Sequence, residues 1–153
     1  MAEDQSVADD KEVPRIAFVL GALGLLPFLA GALFEIASGP GWAGPALRFY
    51  GATILAYMGG IHWGLAIAAG QGPYDDGRFR LQLIGSVFPS LIAWLALLMP
   101  ASQGLTVMAI AFAFLFAGDL AAVKHGWAPA WYPKLRLPLT AIVIPCLLVA
   151  AWL

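Results

Sequence analysis

Charged residues are scarce in this sequence. The 153 residues include eight lysines and arginines and nine aspartates and glutamates, so 11% of the chain is charged and 61% is hydrophobic. Soluble domains contain about 25% charged residues, and a chain this short has too little interior to hide the excess apolar surface. The composition therefore excludes an ordinary water-soluble domain and favours a protein that lies in a lipid bilayer.

Basic clusters, cysteine pairs and histidine clusters are also missing. The formal net charge is −1 and there is no basic arm, so nucleic acid is not an expected partner. Cys146 is the single cysteine, and His62 and His125 are the only histidines, which supports neither a disulfide nor a metal site. The sequence has no Walker A loop, no GxGxxG run after a predicted strand, and no HExxH or GxSxG motif. We therefore expect no catalytic residue, no metal, no cofactor and no enzymatic activity.

Long apolar runs dominate what is present. A helix needs about 20 apolar residues to cross the hydrocarbon core, and five stretches meet this requirement. The sequence predicts an all-α, polytopic bundle of five transmembrane helices that forms one domain over residues 15–153. The fifth stretch is the shortest and reaches full length only if Arg136 snorkels at its start. The predicted helices span about residues 16–36, 47–69, 81–99, 105–123 and 137–153.

The two ends of the chain are predicted to lie on opposite sides of the membrane. Residues 1–14 are polar and acidic, unlike a secretory signal or a transit peptide, and are predicted to form a disordered cytoplasmic tail. With five crossings, every lysine and arginine except Arg48 falls on the side of this tail. The positive-inside rule then places the N-terminus in the cytoplasm and the C-terminus outside.

Small residues recur at four-residue spacing in the second helix. Ala52, Ala56, Gly60, Gly64 and Ala68 share one face, and other glycines of the helix fall on a different face. Because small residues allow helices to approach closely in lipid, we expect the second helix to lie in the middle of the bundle. The ridge would serve packing within the chain, or self-association or a membrane-protein partner through Gly60 and Gly64.

Ionisable residues inside a membrane are costly and are therefore candidates for function. His62 and Asp119 lie at similar depth, and together with Tyr57 and Trp63 they form a candidate polar or ligand site. The pair could act as a proton relay or a ligand anchor. The alternative is a structural hydrogen bond between helices two and four.

Charged residues near the membrane boundaries suggest two further roles. Glu35 and Arg48 bracket the first outer loop, where their charges could pair as an interfacial clamp. A basic group on the opposite side could contact anionic headgroups or serve only to set topology. The basic group consists of Arg78, Arg80, Lys124, Lys134 and Arg136.

Several short motifs resemble the signature of a known family. The run Tyr50 to Leu55 is followed by the Gly-Gly-Ile-His-Trp-Gly run from Gly59 to Gly64, and Gly118-Asp119 comes later. These runs resemble a family of small bacterial membrane proteins of unknown function (domain of unknown function 3429), to which mitochondrial transmembrane protein 69 is similar. The resemblance implies a five-helix protein of the inner membrane and draws attention to His62, Trp63, Asp119 and Arg136. It carries no activity with it.

Two functions are favoured by these observations, and a membrane enzyme ranks third. The first is a non-enzymatic accessory or assembly component of a complex in the bacterial inner membrane, which predicts a protein partner in addition to the lipid bilayer. The alternative is a lipid- or quinone-binding protein or a small transporter that uses His62 and Asp119. This alternative predicts a cavity between helices two and four.

Overall fold

The described part of the protein is a bundle of five helices. The structure is a computed structural model, and it describes residues 12–69 and 77–153. Over these ranges there is no strand, and all five helices are long and apolar enough to cross a membrane. The predicted all-α, multi-pass fold is therefore confirmed. The helices are α1 (Arg15–Ser38), α2 (Ala43–Ala69), α3 (Gly77–Leu98), α4 (Ala101–Lys124) and α5 (Tyr132–Trp152).

Two predicted features lie wholly or partly outside the described ranges. The predicted disordered tail falls outside them over residues 1–11, and so do residues 70–76 of the loop between α2 and α3. The prediction that the N-terminus is cytoplasmic stays a prediction.

All five helices begin before the apolar stretch that predicted them. The largest difference is in α5, which starts at Tyr132 rather than at about residue 137. A helix can start with a proline in its first turn, because the first backbone N–H groups have no partner within the helix, and Pro133 occupies such a position in α5. The earlier start places Arg136 inside the helix instead of at its end.

Helix α2 lies in the middle of the bundle, as the spacing of its small residues predicted. It packs against all four of the other helices, and the pairs α1–α5, α5–α4 and α4–α3 complete the bundle. It lies close against α3 at Gly59, where an added Cβ would lie 2.6 Å from the carbonyl oxygen of Ser86. At Gly60 and Gly64 an added Cβ would meet no heavy atom of the described residues within 4 Å. That pair faces out of the bundle.

Glu35 and Arg48 do not form the expected ion pair. The Glu35 carboxylate accepts a hydrogen bond from the backbone N–H of Gly44, in the first turn of α2. The Arg48 guanidinium donates to the carbonyl oxygens of Ala96 and Leu97 at 2.7 and 2.6 Å, and to that of Met99. The physical reason is that helix ends leave backbone groups without partners, and these groups are costly in lipid. Each charge therefore binds the end of a neighbouring helix.

Candidate functional site

Two ion pairs among the described residues meet at one carboxylate. The Nε2 atom of His62 lies 2.8 Å from Oδ1 of Asp119, and Nε of Arg136 lies 2.8 Å from Oδ2 of the same residue. Asp119 is 1% exposed and Arg136 is 4% exposed. We call these three residues the charged cluster. It joins α2, α4 and α5 at a single buried point.

The charged cluster lies toward one end of the bundle. His62 and Asp119 are seven and five residues before the ends of α2 and α4, and Arg136 is four residues after the start of α5. At about 1.5 Å per residue, the three positions lie roughly 6–11 Å from those helix ends. This is the side on which most lysines and arginines fall, so the predicted orientation places the cluster near the cytoplasmic boundary.

The geometry fixes what each member of the charged cluster does. Arg136 keeps its charge in proteins, and a carboxylate withdrawn from water requires a counter-ion and hydrogen bonds. An ionised carboxylate accepts hydrogen bonds and cannot donate them, so Nε2 of His62 carries the shared proton when Asp119 is ionised. The cluster is thus a paired charge that can also hold a proton on an imidazole.

The other two residues of the predicted polar site, Tyr57 and Trp63, are exposed. Tyr57 is on the same helix as His62 and is 64% exposed. Trp63 is also exposed and lines neither of the two cavities described below. The structure brings His62 and Asp119 into direct contact, whereas Tyr57 lines the second cavity described below together with Arg136.

The predicted headgroup-contacting group needs one correction. Arg136 was expected to contact headgroups and to snorkel, and both expectations are wrong because the early start of α5 places its side chain in the bundle against Asp119. Lys124, Lys134 and Arg80 are exposed, so headgroup contact stays a prediction for them. The structure does not describe the side chain of Arg78, so its headgroup contact also stays a prediction.

A first cavity lies beside His62. Its volume is about 620 Å³, and its walls come from α3 and α4, while α2 contributes only His62. Leu81 and Phe114 line it and are strongly exposed, so the cavity opens sideways toward lipid. We call it the α3–α4 cavity. Gln82 also lines it, is 5% exposed, and has no hydrogen-bond partner for either amide atom among the described residues.

A second cavity lies beside Arg136. Its volume is about 390 Å³, and its walls come mainly from α1, α2 and α5. We call it the α1–α2–α5 cavity. Within the described part of the chain, three buried atoms on its lining residues have no hydrogen-bond partner. They are Nη2 of Arg136, the hydroxyl of Tyr132 and Oγ1 of Thr140.

The two cavities are separate, and the charged cluster connects them. No residue lines both. His62 lines the first cavity and Arg136 lines the second, and each binds a different oxygen of Asp119. A change in the charge or position of His62 would therefore alter the hydrogen bonding of Asp119, and through it the position of Arg136; the reverse also holds.

Sequence reasoning did not select Gln82, Tyr132 or Thr140 as site residues. Site residues were sought as ionisable groups inside apolar stretches, and neutral polar side chains do not meet that criterion. The available signal for Gln82 was an amide at the second position of the predicted third helix. In the structure, α3 begins five residues before Gln82, so this amide lies inside the helix. Tyr132 and Thr140 are eight residues apart on α5, which places them on a similar face of that helix.

Known proteins resemble this chain over most of its length. Residues 13–152 match the family described as protein of unknown function (DUF3429). Transmembrane protein 69 of Xenopus tropicalis is 33% identical over 142 residues, which cover 88% of this chain and 53% of that protein. Transmembrane protein 69 of Mus musculus is 27% identical over 135 residues, covering 84% of this chain and 52% of that protein.

The chain spans about half the length of the two relatives, and no solved structure matches it. The family match covers nearly the whole chain and includes the three helices that carry the charged cluster. The protein therefore belongs to the DUF3429 family of membrane proteins of unknown function.

Proposed function

We propose that this protein binds a lipid-soluble molecule through a neutral polar group, in the α3–α4 cavity, in a bacterial inner membrane. The observation that carries the proposal is the Gln82 amide, which lines that cavity beside His62 and has no partner among the described residues. A buried amide without hydrogen bonds costs about 1–3 kcal/mol. A bound ligand that satisfies both amide atoms would remove this cost.

The chemistry of the α3–α4 cavity indicates the class of ligand. Apart from Gln82 and His62, its side chains are mostly apolar or small. An amide donates and accepts hydrogen bonds, and an imidazole can do either, so a carbonyl or hydroxyl group is the complementary partner. The volume of about 620 Å³ falls within the range of about 300–1,000 Å³ that is typical of ligand pockets. Quinones and hydroxylated or carbonyl-bearing lipids fit this description.

The lateral opening explains how such a molecule would enter. Leu81, Phe88 and Phe114 line the cavity and are exposed on the surface of the bundle. In a bilayer these side chains face lipid tails, so an apolar ligand would reach Gln82 without crossing water. A binding protein needs no catalytic group, in keeping with the sequence.

The test is purification from native membranes in a mild detergent, followed by solvent extraction and mass spectrometry of bound lipids. The decisive variant is Gly118→Leu, because Gly118 lines the cavity and an added Cβ meets no described atom within 4 Å. Gly60→Leu is the matched control, since Gly60 is equally unobstructed but lies outside the cavity. We expect a carbonyl- or hydroxyl-bearing lipid at about one per protein in the wild type and in Gly60→Leu, and its loss in Gly118→Leu. Equal amounts in all three proteins would overturn the proposal.

A second candidate function is that of an accessory component of a membrane complex. It is supported by the outward-facing Gly60 and Gly64 of α2, which are exposed and would allow another helix to approach closely. Here Gly60→Leu becomes the decisive variant and Gly118→Leu the control. A partner protein, or a second copy, that co-purifies with the wild type and with Gly118→Leu but not with Gly60→Leu would support this function. A protein that purifies alone in every case would exclude it.

A further inference from the structure

We infer that the α1–α2–α5 cavity binds the oxyanion headgroup of a single-chain amphiphile, with Arg136 as its counter-ion. This site is distinct from the α3–α4 cavity, since no residue lines both. Its ligand also differs in charge from the neutral molecule proposed above. The two proposals can therefore fail independently.

The unpartnered atoms of this cavity determine the headgroup. Nη2 of Arg136, the Tyr132 hydroxyl and Oγ1 of Thr140 can all donate hydrogen bonds, and within the described ranges none has a partner. All three residues are more than nine-tenths buried and line the same cavity. A guanidinium only donates, so the complementary group must accept. A carboxylate or phosphate oxygen is the strongest such acceptor, because charge-assisted hydrogen bonds are roughly twice as strong as neutral ones.

The geometry of Arg136 leaves it able to bind this headgroup while it holds Asp119. Its Nε donates to Asp119 Oδ2 at 2.8 Å, and its Nη2 is a separate donor of the same planar group. Guanidinium groups bind oxyanions through pairs of such donors. The other oxygen of Asp119 binds His62, which can carry a second positive charge when it is protonated. The charged cluster can thus balance one added negative charge.

The remaining walls of the cavity suit an apolar chain. Leu25, Phe28, Leu139 and Val143 are among the lining residues, and Leu20 and Tyr57 at the edge are strongly exposed. A chain attached to the headgroup can therefore leave the cavity toward the lipid tails. Two sources share this chemistry, a fatty acid and the phosphate monoester of a lysolipid.

Two tryptophans allow each cavity to be observed separately. Trp131 lines the α1–α2–α5 cavity and Trp127 lines the α3–α4 cavity. Bromine quenches tryptophan fluorescence at short range, so the full-length protein in a non-ionic detergent can be titrated with a fatty acid brominated on its chain. We expect saturable quenching that Trp131→Phe removes and Trp127→Phe leaves. A brominated alcohol of the same length is the neutral control, and a brominated lysophosphatidate distinguishes the two sources.

Hydroxyl deletions test the role of the donors without removing a charge. Thr140→Val and Tyr132→Phe take away hydroxyls that have no partner among the described residues, so the free protein should fold normally. We expect each variant to bind the preferred brominated anion about tenfold more weakly. Thr106→Val is the matched control, since the Thr106 hydroxyl bonds the Ser102 carbonyl within α4, away from the cavity. Equal quenching by the alcohol and the anions, or unchanged affinity in both hydroxyl variants, would overturn the inference.

Discussion

Arg136 of α5 donates a hydrogen bond to Asp119 of α4 over 2.8 Å, and both side chains are almost completely buried in the bundle. The pair joins two consecutive helices near the end where the chain turns between them. His62 adds α2 to the same carboxylate. One buried carboxylate therefore fixes three of the five helices relative to one another.

Removing the negative charge of this pair should strongly destabilise the protein. Asp119→Asn leaves the Arg136 charge buried without a counter-ion, and breaking a buried pair in this way costs about 3–5 kcal/mol. We expect a large fall in the free energy of unfolding, measured by titration of the detergent-solubilised protein with a denaturing detergent.

The control for that measurement removes both charges together. Asp119→Leu combined with Arg136→Met replaces the pair by apolar side chains, which is often neutral for stability in buried pairs. We expect the double variant to be clearly more stable than Asp119→Asn. If the double variant is as unstable as Asp119→Asn, or more so, an unpaired buried charge is not the cause of the lost stability.

The sequence was informative where the membrane imposes simple constraints. Five crossings follow from the length of apolar runs, because lipid requires about 20 such residues per helix. The matching depth of His62 and Asp119 follows from counting residues to the helix ends, and the structure places these two side chains in contact. The middle position of α2 followed from its small residues.

Other features depend on how each helix is rotated about its axis and on where it begins and ends, and the apolar pattern does not determine either. Arg136 was expected at the interface because hydropathy cannot detect the polar first turn of α5. Glu35 and Arg48 were expected to pair because opposite charges attract, yet free backbone groups at helix ends are equally good partners. The donors of the two cavities were missed because neutral polar side chains stand out little from an apolar run.

Gln82→Leu should increase stability while it decreases ligand binding. The Gln82 amide is buried and has no partner among the described residues, so replacing it by an apolar group of similar size removes a desolvation cost. We expect a gain of about 1 kcal/mol in the unfolding free energy of the ligand-free protein. The measurement is the same denaturation curve, recorded after bound lipid has been exchanged for detergent. A loss of stability would show that the amide has a structural partner.

Arg48→Met should loosen the end of α3. The guanidinium binds the carbonyl oxygens of Ala96, Leu97 and Met99, which have no partner within the helix. We expect faster hydrogen exchange at the end of α3 and the start of α4, with little change in the charged cluster at the other end of the bundle. Exchange that is equally fast in every helix would instead indicate global destabilisation. Unchanged exchange would contradict the stabilisation of the end of α3 by Arg48.

Gly104→Ala should destabilise the protein although alanine favours helices. A Cβ at residue 104 would lie 2.2 Å from the carbonyl oxygen of Ala96 and 3.1 Å from Nε of Arg48, so α3 and α4 would have to separate. Alanine gains about 0.8–1.0 kcal/mol over glycine in helix propensity, and the clash should exceed this gain, giving a net loss of about 1–3 kcal/mol. Gly118→Ala is the matched control on the same helix, since its Cβ would meet no described atom within 4 Å, and it should be neutral or slightly stabilising. Equal denaturation midpoints for the two variants would show that α3 and α4 do not need the close contact at Gly104.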